Sequence, residues 1–218
     1  MGRFRNSAAL VVLVTVVAVG SASAATIGRS SVRTLGSFDA AVVAQVNAVR
    51  AQHGLRKLTL APGLAASARV HSREMAVSGV FEHDSPDGMQ WWKRIRLWYG
   101  PVGYSSWSVG ETLAWRAPSP TAGQIVTMWL NSPEHRAIML GATWRELGVS
   151  AVQSTAAPGD FDNLDATIVT ADFGVRSGWV GVRRGGAAGS GLARARDRRP
   201  LSRRPPAPAA PERPLRSA

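Results

Sequence analysis

Two segments that cannot contribute to a folded core lie at the ends of this chain, and they confine the fold to the residues between them. Residues 181–218 are rich in Arg, Pro, Ala and Gly and show no apolar periodicity, which is typical of a disordered tail. Residues 1–24 have Arg3 and Arg5 before an apolar run and a small-residue cleavage site, which is the pattern of a signal peptide. The apolar run is shorter than the about 20 residues that span a bilayer, so we expect cleavage rather than a membrane anchor.

The positive charge of the chain is concentrated outside its middle part. The 218 residues carry a formal net charge of +12, and after residue 180 ten arginines stand against Asp197 and Glu212. The middle part is close to neutral. Two roles for the tail stay open: a solvated segment without a partner, or a segment that contacts an anionic surface such as cell-wall polymer or membrane. The tail has no aromatic residue that could stack on bases, which argues against specific nucleic-acid binding.

The absence of cysteine excludes both a disulfide framework and a thiolate metal site. Between the two end segments roughly 155 residues remain, enough for one domain with its own core. We place that domain at residues 36–180 and the tail at residues 181–218. The signal peptide predicts a protein that is secreted, extracellular or held in the cell wall, with no transmembrane segment in its mature form.

Helical and strand patterns alternate along this domain. Apolar spacing predicts helices at residues 38–53 (with Ser37 as its cap), 62–78 (ending at Gly79), 89–99, 122–130 and 134–140. Apolar runs predict strands at residues 147–152 and 166–173, and a further strand within residues 104–115. Helices beside a small, mostly antiparallel sheet give a layered α+β domain.

Three short polar segments contain the side chains best suited to chemistry. The segments are residues 81–88, 110–115 and 129–136. They supply His83, Glu111 and His135, each beside turn residues or aromatics that would fix its direction. We predict that the fold brings these three side chains together, with Glu134 as a further candidate. Such a cluster can hold a metal ion, shuttle a proton or only lock loops in place.

Short motifs along the domain also carry a family resemblance. They are VNAVR at 46–50, FEHDSP at 81–86, GETL at 110–113, SPEHR at 132–136, LGV at 147–149 and DFG at 172–174. In this order and spacing the chain resembles bacterial members of the cysteine-rich secretory protein, antigen 5 and pathogenesis-related 1 family, also called the SCP or CAP domain. The resemblance runs from about Phe38 to Gly174 and implies a three-layer α-β-α sandwich.

The resemblance also assigns roles to the polar segments. Members of that family place two histidines and two glutamates around a central cavity. His83 and His135 match the two histidines, and Glu111 matches the first glutamate. Thr112 stands where asparagine is usual, which removes an amide. The second glutamate has no clear counterpart, as is common in the shorter bacterial form of the family. Glu134 is nearby in the sequence, although small residues are more usual at its position.

Two chemical interpretations of the cluster stay open. Imidazole and carboxylate groups are zinc ligands, so His83, Glu111 and His135 would provide three ligands for zinc or another divalent metal and leave one position open. None of them is paired at His-x-x-x-His spacing, so a metal-free, hydrogen-bonded cleft is the alternative. Ser85 and Ser132 both precede proline and lie in no Gly-x-Ser-x-Gly motif, so we interpret them as turn or cap residues rather than nucleophiles.

Two further features are assigned to the core. His71 lies on the apolar face of the helix predicted at residues 62–78, as a core histidine would. Most of the five tryptophans between residues 91 and 115 are expected to be buried. The remaining rings are candidates to line a groove for lipid or glycan.

The leading functional hypothesis is a non-catalytic binding module at or outside the cell surface. Its ligand would be a lipid, a cell-wall component or another protein. The alternative is a metal-dependent hydrolase that uses the same His/Glu cluster. A third hypothesis is a structural protein that its basic tail retains in the cell wall.

Overall fold

The computed structural model describes residues 31–180, in which α-helices alternate with the strands of one sheet. The elements are β1 Val32–Thr34, α1 Gly36–Gln52, β2 Thr59–Leu60, α2 Pro62–Ser78, α3 Trp91–Trp98, β3 Tyr104–Arg116, α4 Ala122–Asn131, α5 Pro133–Met139, β4 Glu146–Ala157 and β5 Leu164–Trp179. Within residues 31–180 no helix is long and apolar enough to cross a membrane. The predicted signal peptide and basic tail lie outside the described residues.

The sheet has a helical layer on each face. Its strand order is β1-β4-β5-β3 with antiparallel pairing, and β2 adds a short parallel pairing to β4. On one face, α1, α4 and α5 pack against apolar side chains such as Ala114, Val149 and Phe173. On the other, called here the α2 face, α2 and α3 cover Leu113 and Val109 among others. This arrangement confirms both the α+β class and the three-layer α-β-α sandwich.

Helix α2 lies close to the sheet because β4 carries a glycine beneath it. A Cβ atom at Gly148 would lie 2.1 Å from the backbone nitrogen of Ala65. Farther along the helix, Ser72 Oγ lies 2.9 Å from Ser150 O and 2.9 Å from Thr170 Oγ1. These contacts fix the end of α2, and with it the start of the loop that carries His83.

Local sequence signals set several helix ends, and one of them was misassigned. Pro62 stands at the start of α2, and Gly79 ends that helix in the left-handed conformation with φ 76°, both as predicted. Ser132 caps α5, also as predicted. The prediction for Ser37 is wrong, because α1 begins at Gly36 without a side-chain cap. The chain enters α1 directly from a strand pairing, in which Leu35 N–H donates to the main chain of β4.

The five tryptophans between residues 91 and 115 lie at the margin of the core rather than inside it. Trp91, Trp107 and Trp115 are partly buried on the α2 face, and Trp98 is 52% exposed. Trp107 and Trp115 lie on β3, an edge strand of the sheet, and the other three rings lie on α3. None of the five is fully buried, so the expectation that most of them are buried is wrong. The fully buried indole belongs to α4, where Trp129 Nε1–H donates to Leu113 O at 2.9 Å.

Candidate functional site

Glu111 is the centre of the candidate site. It lies on β3 opposite Asp172 of β5, which in turn lies opposite Gly148 of β4, so all three belong to one row on the α2 face. The Glu111 side chain is almost completely buried, and a buried carboxylate must be paired to be tolerated. His83 Nδ1 lies 2.8 Å from its Oε1 atom, and a terminal nitrogen of the Arg94 guanidinium donates to its Oε2 atom.

These partners keep Glu111 ionised. Burial alone would raise the pKa of Glu111, but the net shift is downward, to about 2. The hydrogen bond with His83 lowers the pKa, and so do the positive charges of His71, Arg94 and His83. At neutral pH the carboxylate is therefore charged, and both of its oxygens are engaged.

Arg94 connects this carboxylate to the loop between α2 and α3. Its second terminal nitrogen donates to His83 O at 3.0 Å and to Ser85 Oγ at 3.1 Å. Ser85 Oγ in turn donates to Glu74 Oε2 at 2.9 Å. The Ser85 hydroxyl thus ties the loop to α2 and to α3, which agrees with its interpretation as a turn residue.

Further contacts hold the same loop from both sides. His71 is fully buried, as predicted for a core histidine. Its Nε2 atom lies 2.9 Å from Glu82 O, and its Nδ1 atom lies 3.4 Å from Glu74 Oε2. The hydrogen bond from His71 is the main cause that lowers the pKa of Glu74. At the other end of the loop, Asp84 Oδ1 accepts from Trp91 N–H at 2.9 Å and ties the loop to the start of α3.

The two predicted histidines differ in their exposure to solvent and in their contacts. The His83 side chain is 41% exposed. With Nδ1–H directed at a carboxylate, the other ring nitrogen of a neutral imidazole is an acceptor. His135 lies on α5 and is mostly buried, which lowers its pKa; the charge of His83 lowers the pKa further. The structure therefore joins His83 to Glu111 by direct contact and places His135 near enough to His83 for their charges to interact.

Glu134 and Thr112 were less certain in the sequence, and the structure shows the surroundings of both side chains. Glu134 is exposed at the start of α5 and accepts a hydrogen bond from Ser132 Oγ at 3.0 Å. Its charge raises the pKa of His135 and so opposes the effect of burial. Its membership of the cluster stays a prediction. Thr112 points to the opposite face of β3 from Glu111, and among the described residues its buried hydroxyl has no hydrogen-bond partner.

The described residues contain no preformed three-ligand metal site. Within residues 31–180, no group of three or more His, Asp or Glu side chains is arranged to hold a metal ion. Glu111 already uses both oxygens for His83 and Arg94. Zinc or another divalent metal at His83, Glu111 and His135 therefore stays a prediction.

Sequence reasoning missed two charged residues of this site. Arg94 follows Trp91 by three residues and precedes Ile95, so helical spacing puts it on the buried stripe of α3. Asp172 stands between Ala171 and Phe173 in a strand that is buried on both faces. A charged residue on an apolar stripe or within an apolar strand was the signal that could have identified both.

Asp172 has the opposite protonation preference to its neighbour Glu111. Burial raises the pKa of Asp172 well above its usual value, and the negative charge of Glu111 raises it further. Among the described residues neither carboxyl oxygen has a hydrogen-bond partner of good geometry, although Ser67 and Glu111 are close enough to influence its pKa. The row across β3 and β5 thus pairs a carboxyl group whose pKa is lowered with one whose pKa is raised.

Comparison with known proteins agrees with this fold and with the motifs. The family model described as the cysteine-rich secretory protein family matches residues 43–173, which is more than half of the chain. The chain belongs to this family. It does so without any cysteine.

Similar proteins come from several bacteria. The uncharacterised protein YkwD of Bacillus subtilis (strain 168) is 29% identical over 125 residues, which are 57% of this chain and 46% of the relative. The chain thus spans about half the length of the curated relative that it matches. An outer surface protein of Borrelia burgdorferi shares the fold with a TM-score of 0.56 at 17% identity, over 67% of this chain and 100% of that one. An extracellular protein containing an SCP domain from Bacillus anthracis has a TM-score of 0.47 at 26% identity, over 63% and 40% of the two chains.

Proposed function

We propose that this chain is an extracellular, non-catalytic binding module whose ligand contacts the exposed edge of His83 beside His135. One observation carries this proposal: both oxygens of Glu111 are engaged, by His83 and by Arg94. A general base needs an accessible lone pair and a pKa near the working pH. Glu111 is buried and its pKa is lowered to about 2. It serves as an anchor that fixes the direction of His83.

The surface around His83 suits a ligand that donates hydrogen bonds. The exposed ring nitrogen of a neutral His83 accepts from hydroxyl or amide groups, and such groups occur in cell-wall components, in proteins and in the head groups of lipids. The predicted signal peptide at residues 1–24 supports an extracellular location. The ligand is therefore proposed to be a cell-wall component, a lipid or a protein at or outside the cell surface.

Binding to cell walls is tested by sedimentation of the purified protein with isolated peptidoglycan. Binding to lipids is tested by mass spectrometry of the lipids that co-purify with it. We expect His83→Ala to reduce retention of one of these ligands by about tenfold, the value of one hydrogen bond to a polar partner. His53→Ala is the matched control, because His53 is exposed at the end of α1. Release of soluble fragments from peptidoglycan that depends on His83 would contradict the non-catalytic proposal.

A metal-dependent hydrolase is the second candidate, and the contact between His83 and Glu111 favours it. Histidines that bind metals through one ring nitrogen commonly donate the other N–H to a carboxylate. His83 and His135 would then supply the ligands, with Glu111 behind them. Titration with zinc by calorimetry tests this candidate. Binding heat in the wild type and in His53→Ala, but not in His83→Ala, would support it, and no heat in the wild type would remove it.

A further inference from the structure

A cluster of exposed apolar side chains lies at one end of the molecule, away from the His83 site. It joins the end of α3 and the following turn to the end of β5. Val102 is 76% exposed and Trp179 is 67% exposed. We call this cluster the α3–β5 apolar surface; its members are Leu97, Trp98, Val102, Trp179 and Val180. They are five of the nine large apolar side chains that are exposed in the described part of the chain.

Specific contacts hold the two halves of this surface together. Val180 N–H donates to Gly103 O at 2.9 Å. The rings of Tyr104 and Trp179 meet edge to face with their centroids 5.0 Å apart. Gly103 has φ 84°, and a Cβ atom there would lie 2.7 Å from the Trp179 ring. Trp179 thus packs against the turn that begins at Val102, and these contacts fix the position of the surface in the fold.

A cation lies directly beneath this surface. The Arg176 guanidinium stacks over the Tyr99 ring at 4.0 Å and over the Tyr104 ring at 4.7 Å. It also donates to Glu146 Oε1 at 3.3 Å, so its own charge is largely compensated. Two further cations of α3, Lys93 and Arg96, are exposed to solvent.

The strongest positive charge of the sequence begins where this surface ends. Val180 is followed by Arg183 and Arg184, the first of the ten arginines that face only two acidic residues. The middle part of the chain is close to neutral. An exposed apolar surface and a polybasic segment are therefore joined by only two intervening residues.

An apolar surface next to basic residues favours some anionic partners over others. A cell-wall polymer or a nucleic acid would satisfy the arginines but would leave the apolar side chains in water. The interface of an anionic bilayer accepts both, because tryptophan favours the head-group region and aliphatic side chains favour the acyl boundary. Basic residues gain from the negative surface potential at the same time. Stable membrane attachment generally needs two such signals together.

We propose that the α3–β5 apolar surface docks this chain peripherally on an anionic lipid bilayer, a partner whose charge complements the arginine-rich sequence that follows Val180. The docking surface is distinct from the His83 site, so this proposal goes beyond the binding function above. It also predicts an orientation, in which the ends of α3 and β5 face the lipid.

Flotation with lipid vesicles tests the proposal on the full chain. The two probes are vesicles of phosphatidylcholine alone and of an equimolar mixture of phosphatidylcholine and phosphatidylglycerol. We expect the wild type to bind the mixed vesicles, with an affinity that falls as salt rises. The variant Trp98→Ser/Trp179→Ser is expected to bind them at least about tenfold more weakly. All variants share one N-terminus, so any contribution from that segment is equal among them.

Two further variants separate the apolar signal from the basic one. Val77→Ser/Leu164→Ser removes two other exposed apolar side chains elsewhere in the fold, and we expect it to bind like the wild type. Replacement of Arg183, Arg184, Arg194 and Arg196 by Gln is expected to weaken binding on the order of a hundredfold and to reduce its salt dependence. Thermal unfolding of each variant verifies that its fold is intact.

Three results would overturn the proposal. The first is equal vesicle binding by Trp98→Ser/Trp179→Ser and by the wild type. The second is equal binding of the wild type to both kinds of vesicle. The third is a wild-type dimer that Trp98→Ser/Trp179→Ser converts to a monomer, since a second copy would then cover this surface. Retention on peptidoglycan through His83 is measured separately, so failure of one proposal leaves the other standing.

Discussion

Arg94 is the residue that organises the candidate site, because it binds the Glu111 carboxylate and the His83 loop at the same time. Both partners of the ion pair are almost fully buried. Removing one member of such a pair leaves an uncompensated charge in the interior. One guanidinium therefore links the loop directly to the sheet.

We expect Arg94→Met to lower the free energy of unfolding by about 3–5 kcal/mol, because it leaves the buried carboxylate of Glu111 without its cationic partner. Urea unfolding followed by circular dichroism measures the change. Arg96→Met is the control, since Arg96 is exposed on the same helix and such surface changes stay within about 0.5 kcal/mol. The double variant Arg94→Met/Glu111→Gln should recover part of the loss. Equal stability of Arg94→Met and Arg96→Met would show that the pair is not structural.

At the scale of residues, the side chains of the site are easier to predict from the sequence than the contacts between them. His83 and Glu111 stand out because polar groups beside turn residues are easily recognised. Arg94 does not, because a long cationic side chain on a helix normally extends its charge into water. That its charge is instead buried depends on the position of Glu111, seventeen residues later in the chain, and no local pattern reports it.

At the scale of elements, residues at or next to the helix ends set where helices begin and end. Pairing with a neighbouring strand sets where a strand ends. Pro62, Gly79 and Ser132 act through backbone conformation or a nearby N–H, so their effects are visible in the sequence. β5 instead runs as far as Trp179, well beyond its apolar run. Its extension comes from pairing with β3, which a single strand's sequence does not contain.

The close packing of α2 on β4 gives a prediction at this scale. In Gly148→Ala the new Cβ atom would meet the backbone of Ala65 at 2.1 Å and that of Leu64 at 2.2 Å. Neither can move without the helix, so we expect a loss of at least about 1–3 kcal/mol in the free energy of unfolding. Thermal or urea unfolding measures it.

Gly36→Ala is the matched control for this substitution. A Cβ atom at Gly36 would meet nothing within 4 Å, so we expect no loss beyond about 0.5 kcal/mol. A Gly148→Ala variant as stable as Gly36→Ala would mean that α2 has room to shift. The position of the His83 loop would then not depend on this contact.

At the scale of the whole molecule, buried carboxyl groups make stability depend on pH in two opposite ways. The pKa of Glu111 falls from 4.5 to about 2, so its contribution is present above pH 4.5 and is lost as the pH falls through about 2. Burial raises the pKa of Asp39 from 3.8 to about 6 and that of Asp172 well above 3.8. Their contributions are fully present below pH 3.8 and are lost as the pH rises through the raised values.

The variant Asp172→Asn tests the effect of one of these raised pKa values on stability. Asparagine keeps the shape of the neutral acid without the cost of protonating it at pH 7. We expect the variant to be more stable than the wild type at pH 7 by about 1 kcal/mol or more, the value of roughly one pKa unit. Below pH 3.8 the difference should disappear, because the aspartate is then protonated in both the folded and the unfolded chain.

Urea unfolding of both proteins at these two pH values measures the effect. Asp162→Asn, an exposed position, controls for the loss of one negative charge from the whole molecule. A variant that is less stable than the wild type at pH 7 would mean that Asp172 is ionised in the fold. The charge of Arg94 would then be shared between two carboxylates rather than held by Glu111 alone, and the fixed direction of His83 would lose part of its physical basis.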